Sequence, residues 1–258
     1  MRILFSIWKV ALVAACCAAT PLLSWCQAHE LKLDEIIHRM SVVQAAERDN
    51  GVAYSITREY QLSPAGATHP ASDVIAEINF VPPAAKDYSI VKSEGSDRGR
   101  GIVRKILDHE TQMAGHSEDH AVTTRNYDFA LLGREAVNGR DCYVLQLSPK
   151  REAVELIRGK AWVDAGDFTI RRMEGSPAKS PSMWIRNLTI TIDYDKVSGI
   201  LVATSTKAVA DLRFVGTHVL TSRELGLQTA SESARNQSPN RSNARRAASR
   251  AATWIAPE

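Results

Sequence analysis

The hydrophobic period changes twice along this chain, and the changes mark its organisation. Leu33, Ile36, Ile37, Met40 and Val43 follow the i, i+3, i+4, i+7 spacing of an amphipathic helix, and Asp49-Asn50-Gly51 predicts its end. The period then falls to two. Tyr54, Ile56, Tyr60 and Leu62 alternate with Ser55, Thr57, Glu59 and Gln61, and Val74, Ala76, Ile78 and Phe80 continue the alternation; both stretches predict half-buried strands. Pro82-Pro83 turns the chain into a third expected strand from Asp87 to Ser93. Ile102, Val103, Ile106 and Leu107 then predict a second helix over about Ser96 to Ala114.

From residue 121 to about 223 the pattern is almost unbroken β. Alternation recurs at Tyr127, Phe129 and Leu131, at Tyr143, Leu145 and Leu147, around Ala161 to Val163, and at Phe168 and Ile170. It resumes at Trp184, Leu188, Ile190, Ile192 and Tyr194, at Ile200 and Val202, and at Leu212 and Phe214. Turn residues at Asn138-Gly139, Ala165-Gly166-Asp167, Ser176 to Pro181 and Ser198-Gly199 separate these runs, and such short gaps mean antiparallel neighbours in a meander. Two helices are too few to cover both faces of a large sheet. The pattern therefore predicts a mainly β, α+β domain: one strongly curved antiparallel sheet, with two or three helices packed on its concave side.

The two ends differ from this middle. Arg2 and Lys9 precede an apolar run from Val10 to Leu23, and Cys26-Gln27-Ala28 ends in small residues, the layout of a cleavable secretory signal. The run is about 14 residues, short of the roughly 20 that span a bilayer. Residues 1–28 are thus expected to be a signal peptide, cut after Ala28, with a periplasmic product. A second reading takes Val13-Ala14-Ala15-Cys16 as a lipobox with Cys16 as a lipidated anchor, but its apolar stretch after Lys9 is too short for a normal signal core. From residue 228 to 258 Ser, Ala, Asn and Arg dominate, without periodic apolar residues before Trp254 and Ile255, and a disordered tail is expected. The domain would then occupy residues 29–227.

Charge and cysteine counts follow this division. The chain has 32 Lys plus Arg against 29 Asp plus Glu, too even a balance for a nucleic-acid binder. The excess lies in residues 1–28 and in the tail's Arg235, Arg241, Arg245, Arg246 and Arg250, which suit either a solvated tail or weak contact with anionic lipid headgroups. Of four cysteines, cleavage leaves Cys142 alone. An internal disulfide is then impossible, and the run Cys142-Tyr143-Val144-Leu145 reads as buried hydrophobe rather than nucleophile.

Catalytic motifs are mostly missing. There is no Gly-x-Ser-x-Gly elbow and no P-loop, and Gly99-Arg100-Gly101 lacks the third glycine of a dinucleotide turn. His109, His116 and His120 come closest to a metal set, but Met113 stands where a zincin needs its second histidine, so no metal or other cofactor is expected. Asp193 and Asp195 flank Tyr194 and read as outward, solubilising residues, and Arg171 and Arg172 should take opposite faces of a strand.

One stretch resembles a known group. Leu131-Leu132-Gly133 followed by Val137-Asn138-Gly139-Arg140-Asp141-Cys142-Tyr143-Val144-Leu145-Gln146-Leu147-Ser148-Pro149-Lys150 resembles a hairpin of the outer-membrane lipoprotein-sorting (LolA-like) superfamily, which includes the MucB/RseB sensor type. Gly159-Lys160-Ala161-Trp162-Val163-Asp164, leading to Ile170-Arg171-Arg172-Met173-Glu174-Gly175, resembles its next strand pair. The resemblance covers about residues 127 to 196 by motif and 33 to 223 by element order. It implies an unclosed β-barrel with helices as a lid over an apolar cavity that holds acyl chains.

On that basis the expected function is a non-enzymatic periplasmic carrier or chaperone for lipid or lipoprotein acyl chains. The alternative is an envelope sensor or interaction module that binds a protein partner through the same fold. The candidate cavity residues are Tyr54, Ile56, Ile78, Phe80, Trp184, Leu188, Ile190 and Ile192.

Overall fold

The computed structural model describes residues 31–49, 51–83 and 85–229. The expected signal peptide, residues 1–28, lies outside them, as does the expected tail beyond Thr229. Helix α1 (Leu33–Asp49) opens the domain, followed by strands β1 (Tyr54–Pro64), β2 (Ser72–Val81) and β3 (Ala85–Gly95). Helix α2 (Asp97–Met113), a 3-10 turn and the short α3 (Ser117–His120) lead to β4 (Tyr127–Val137), β5 (Arg140–Pro149), β6 (Ile157–Asp164) and β7 (Ile170–Pro177). Strands β8 (Ile185–Val197), β9 (Ile200–Leu212) and β10 (Gly216–Thr229) complete it.

All ten strands join one sheet in the order β3-β2-β1-β10-β9-β8-β7-β6-β5-β4, with every pair antiparallel. Two meanders meet where β1 pairs β10, and α2 with α3 carries the chain from one edge to the other. The edge strands β3 and β4 are not paired to each other, so the sheet is unclosed as expected.

Local sequence explains the turns. Asn138 (φ 51°) and Gly139 (φ 77°) join β4 to β5, and Ser198 (φ 49°) and Gly199 (φ 81°) join β8 to β9; positive φ at both central residues is the two-residue hairpin geometry that matches strand twist. Ser96 caps α2, its hydroxyl accepting from the Gly99 N–H at 3.2 Å. Three sequence assignments shift, and one is Phe214, which lies in the turn between β9 and β10 rather than on a strand. Phe168 takes a left-handed φ of 58° in the β6–β7 connection rather than a strand conformation, and Trp184 sits one residue before β8.

Each helix covers a different half of the sheet. Val103 and Leu107 of α2 pack on Ile56, Tyr60, Val74, Ala76 and Ile78 of β1 and β2, with Val202 and Leu227 completing the cluster. Ile36 and Met40 of α1 are wholly buried, and Arg39 of the same helix lies 5.1 Å over the Phe168 ring. Strand β5 is buried on both sides, because Cys142 and Val144 join Val137 and Trp162 in a cluster of their own while Leu145 and Leu147 are buried on the alternate positions.

Candidate functional site

Beyond Met40, helix α1 no longer seals against the sheet. Val43, Gln44 and Glu47 are half-buried and roof a cavity of about 320 Å³. Its floor comes from β4 and from β6 to β9: Tyr127 of β4, Ile157 of β6, Ile170 and Met173 of β7, Ile192 and Tyr194 of β8, and Leu201 of β9. Neighbouring strands are about 4.8 Å apart, so β4 and β9 would stand some 24 Å apart on a flat sheet. Both reach one small cavity because the sheet curls around it.

The walls are mainly apolar. Met173 and Ile192 are cross-strand neighbours, and the Tyr194 hydroxyl donates to the Met173 sulfur at 3.8 Å; burial pushes this phenol up to about 12. Polar groups gather at the α1 side, where Gln44 donates to the Val122 carbonyl at 3.2 Å. Burial raises the Glu47 carboxyl, against the nearby Lys196 charge. Burial also lowers His120, and its Nδ1 has no hydrogen-bond partner among the described residues.

A framework of ion pairs supports the floor. The Arg171 guanidinium, its side chain 4% exposed, binds Asp164 at 3.1 Å, Asp167 at 2.7 Å and Asp195 at 2.8 Å. Burial works to raise Asp164, but the N–H groups of Gly166 and Asp167, together with Arg171, outweigh it and hold the carboxyl below its usual range. Arg172 pairs instead with Asp193 at 2.7 Å. The two aspartates flanking Tyr194 are therefore ion-pair partners of adjacent arginines, beyond the solubilising role expected of them.

The eight candidate residues fall into three places. Tyr54 pairs with Phe80 and Ile56 with Ile78 across β1 and β2, the two rings 5.3 Å apart, and this group packs beneath α2, away from the cavity under α1. Leu188, Ile190 and Ile192 share one side of β8 by strand alternation and are half-buried, but of these only Ile192 lines the cavity. Trp184 is exposed and packs on Phe214, ring centroids 5.7 Å apart. Of the lining residues not singled out in the sequence, Tyr194 and Val43 were nevertheless on its apolar periods, whereas Met173 falls off the alternation of Phe168 and Ile170.

Arg58 of β1 is the other notable polar residue among these strands. Its guanidinium donates to the Ala203 carbonyl of β9, its Nε is buried without a hydrogen-bond partner among the described residues, and burial raises the neighbouring Tyr60 hydroxyl. A second cavity of about 340 Å³ is lined by Ser55, Thr57, Glu77 and residues 225–228; its wall is closed by a Ser55 to Glu77 hydrogen bond of 2.7 Å. Among the described residues no three His, Cys, Asp or Glu side chains are grouped to hold a metal ion, and no helix is long and apolar enough to cross a membrane.

Among curated proteins nothing matches this sequence. A family model described as "uncharacterized protein" matches residues 103–222, which run from α2 into β10. Similar solved structures include a DUF1329 family protein from Desulfovibrio piger, 12% identical over 76% of this chain and 92% of that one, with a TM-score of 0.41. A putative outer-membrane lipoprotein-sorting protein domain from Vibrio parahaemolyticus is 15% identical over 76% and 93%, with a TM-score of 0.40. A LolA superfamily protein from Nitrosomonas europaea is 13% identical over 77% and 93%, with a TM-score of 0.35. The chain itself has the unclosed antiparallel sheet with few helices that the resemblance noted in its sequence implies.

Proposed function

We propose that this protein is a non-enzymatic carrier or chaperone of the bacterial envelope, exported to the periplasm by residues 1–28, which holds an acyl chain of a lipid or lipoprotein beneath α1. The observation that carries the reading is the apolar-walled cavity left between the second half of α1 and the curled sheet. It is small. At the ~30 Å³ that a water molecule occupies in the liquid, about 320 Å³ accommodates on the order of ten non-hydrogen atoms, which is part of one chain rather than a whole lipoprotein anchor.

The energetics fit holding and release. Ten methylenes leaving water gain about 8 kcal/mol at ~0.8 kcal/mol each, and association costs at least ~4 kcal/mol. The remainder of about 4 kcal/mol corresponds to roughly millimolar affinity, so tighter holding requires α1 to lift and admit more chain. Helix α1 suits that motion, since its anchors Ile36 and Met40 lie in its first half.

Native mass spectrometry of protein purified from a bacterial envelope, with uptake of a fluorescent fatty acid, tests the proposal. The expected result is a ligand mass in the native protein, and uptake that Met173→Trp and Ile192→Trp abolish by filling the cavity while circular dichroism stays unchanged. A bare-chain mass together with no uptake overturns it.

A further inference from the structure

Four of the large apolar side chains exposed on this protein belong to two neighbouring turns. Met183 and Trp184, just before β8, are 76% and 56% exposed, and Phe214 and Val215, between β9 and β10, are 81% and 58% exposed. The turns are held together at their backbones, where the Arg213 N–H donates to the Trp184 carbonyl at 3.0 Å, and the Trp184 and Phe214 rings are in contact. Exposing two touching aromatic rings forgoes the burial that both would gain in a core. A patch of this kind marks a contact surface.

The charges beside the rings indicate what the surface meets. Arg186 and Arg213 are both exposed, and Arg186 reaches the Arg213 carbonyl at 3.5 Å. Neither guanidinium forms an ion pair among the described residues, nor does Asp211, two residues before Arg213 on β9. Aromatic rings with an apolar body, set beside unpaired cations, suit the headgroup level of an anionic bilayer.

The tip also has a direction. Leu188 and Ile190 run from it along β8 to Ile192 at the cavity, and their cross-strand neighbours on β9 are Ala210 and Ala208. This half-buried apolar row covers seven residue steps from Ile185 to Ile192, about 23 Å at ~3.3 Å per step. We propose that the Trp184–Phe214 tip is a membrane-docking site, which seats its rings in an anionic lipid surface with Arg186 and Arg213 on the headgroups and points the apolar row at the bilayer.

Flotation of the full chain with vesicles of phosphatidylglycerol and phosphatidylcholine in equal parts, against phosphatidylcholine alone, tests the site. The wild type is expected to float with the anionic vesicles. Trp184→Ser combined with Phe214→Ser should reduce binding at least tenfold, and Arg186→Gln or Arg213→Gln by roughly fivefold each, the worth of one cation near such a surface. Because these side chains are exposed, thermal unfolding should not change.

Three results overturn the proposal. One is wild-type binding unchanged by the aromatic substitutions, which would assign it to the arginines of residues 229–258. Another is equal binding to both vesicle types. The third is no flotation at all, whether or not sedimentation shows a dimer that Trp184→Ser dissociates. Fatty-acid uptake by the cavity is read separately, so failure of docking and failure of the carrier reading are distinguishable.

Discussion

Arg171 and Arg172 are adjacent in sequence, of one residue type, and each is ion-paired, yet their replacement should differ severalfold in cost. The Arg171 side chain is 4% exposed and Asp164 is 8% exposed, so removing the arginine strands a buried carboxylate. Breaking such a pair costs ~3–5 kcal/mol. Asp164 keeps two backbone N–H donors, Gly166 at 2.8 Å and Asp167 at 3.2 Å, and Arg140 at 3.3 Å, which discounts the loss. Asp167 and Asp195 are open to solvent and add at most ~1 kcal/mol each. Arg171→Met is therefore expected to cost about 2–4 kcal/mol. Arg172→Met loses a pair whose members are 32% and 23% exposed, and should cost below ~1 kcal/mol.

Urea unfolding at pH 7 measures both. The acid side supplies a second readout. The Asp164 carboxyl sits below its usual range, so its pairing contributes stability above an unfolded value of about 4 and loses it as pH falls through the lower folded value. The gap between wild type and Arg171→Met should consequently narrow as pH is taken towards 2. Adding Asp164→Asn to Arg171→Met should recover part of the loss. Equal costs for the two arginines, or a gap that widens in acid, would refute the reasoning.

Three further outcomes are expected. Ser96→Ala removes the hydroxyl that caps α2 and should cost ~1 kcal/mol in chemical unfolding. Gly159→Ala places a methyl carbon 2.0 Å from the Glu174 carbonyl oxygen and 2.6 Å from the Gly175 Cα, so the β6–β7 pair must separate, and thermal melting should show a loss well beyond the ~1 kcal/mol typical of point substitutions. Burial raises the Cys142 thiol, which is wholly covered; a thiol reagent at pH 8 should leave it unmodified in the folded domain and label it fully in urea.

The elements were largely legible because their signals are local. Leu33 to Val43 carries a helical period wherever the helix later docks, and Asn138-Gly139 and Ser198-Gly199 demand hairpin turns by themselves. Cys142 also reads correctly, since its apolar neighbours alone predict burial. The candidate site was legible only in part. Its residues were chosen for lying on apolar strand periods, and period cannot distinguish a position beneath α2, such as Ile56 or Ile78, from one beside a cavity, such as Ile192. Trp184 shows the same limit, because hydrophobicity predicts a tendency to be buried while its place before β8 leaves it in solvent with Phe214.

By itself, then, the sequence determined the elements and their antiparallel succession. These depend on residue spacing and on turn chemistry spanning a few neighbours. Tertiary structure alone decided where α1 stops sealing the sheet, which carboxylates gather on Arg171, and which apolar side chains remain in water. Each of those depends on groups tens of residues apart being brought within a few ångströms, so no local period encodes it.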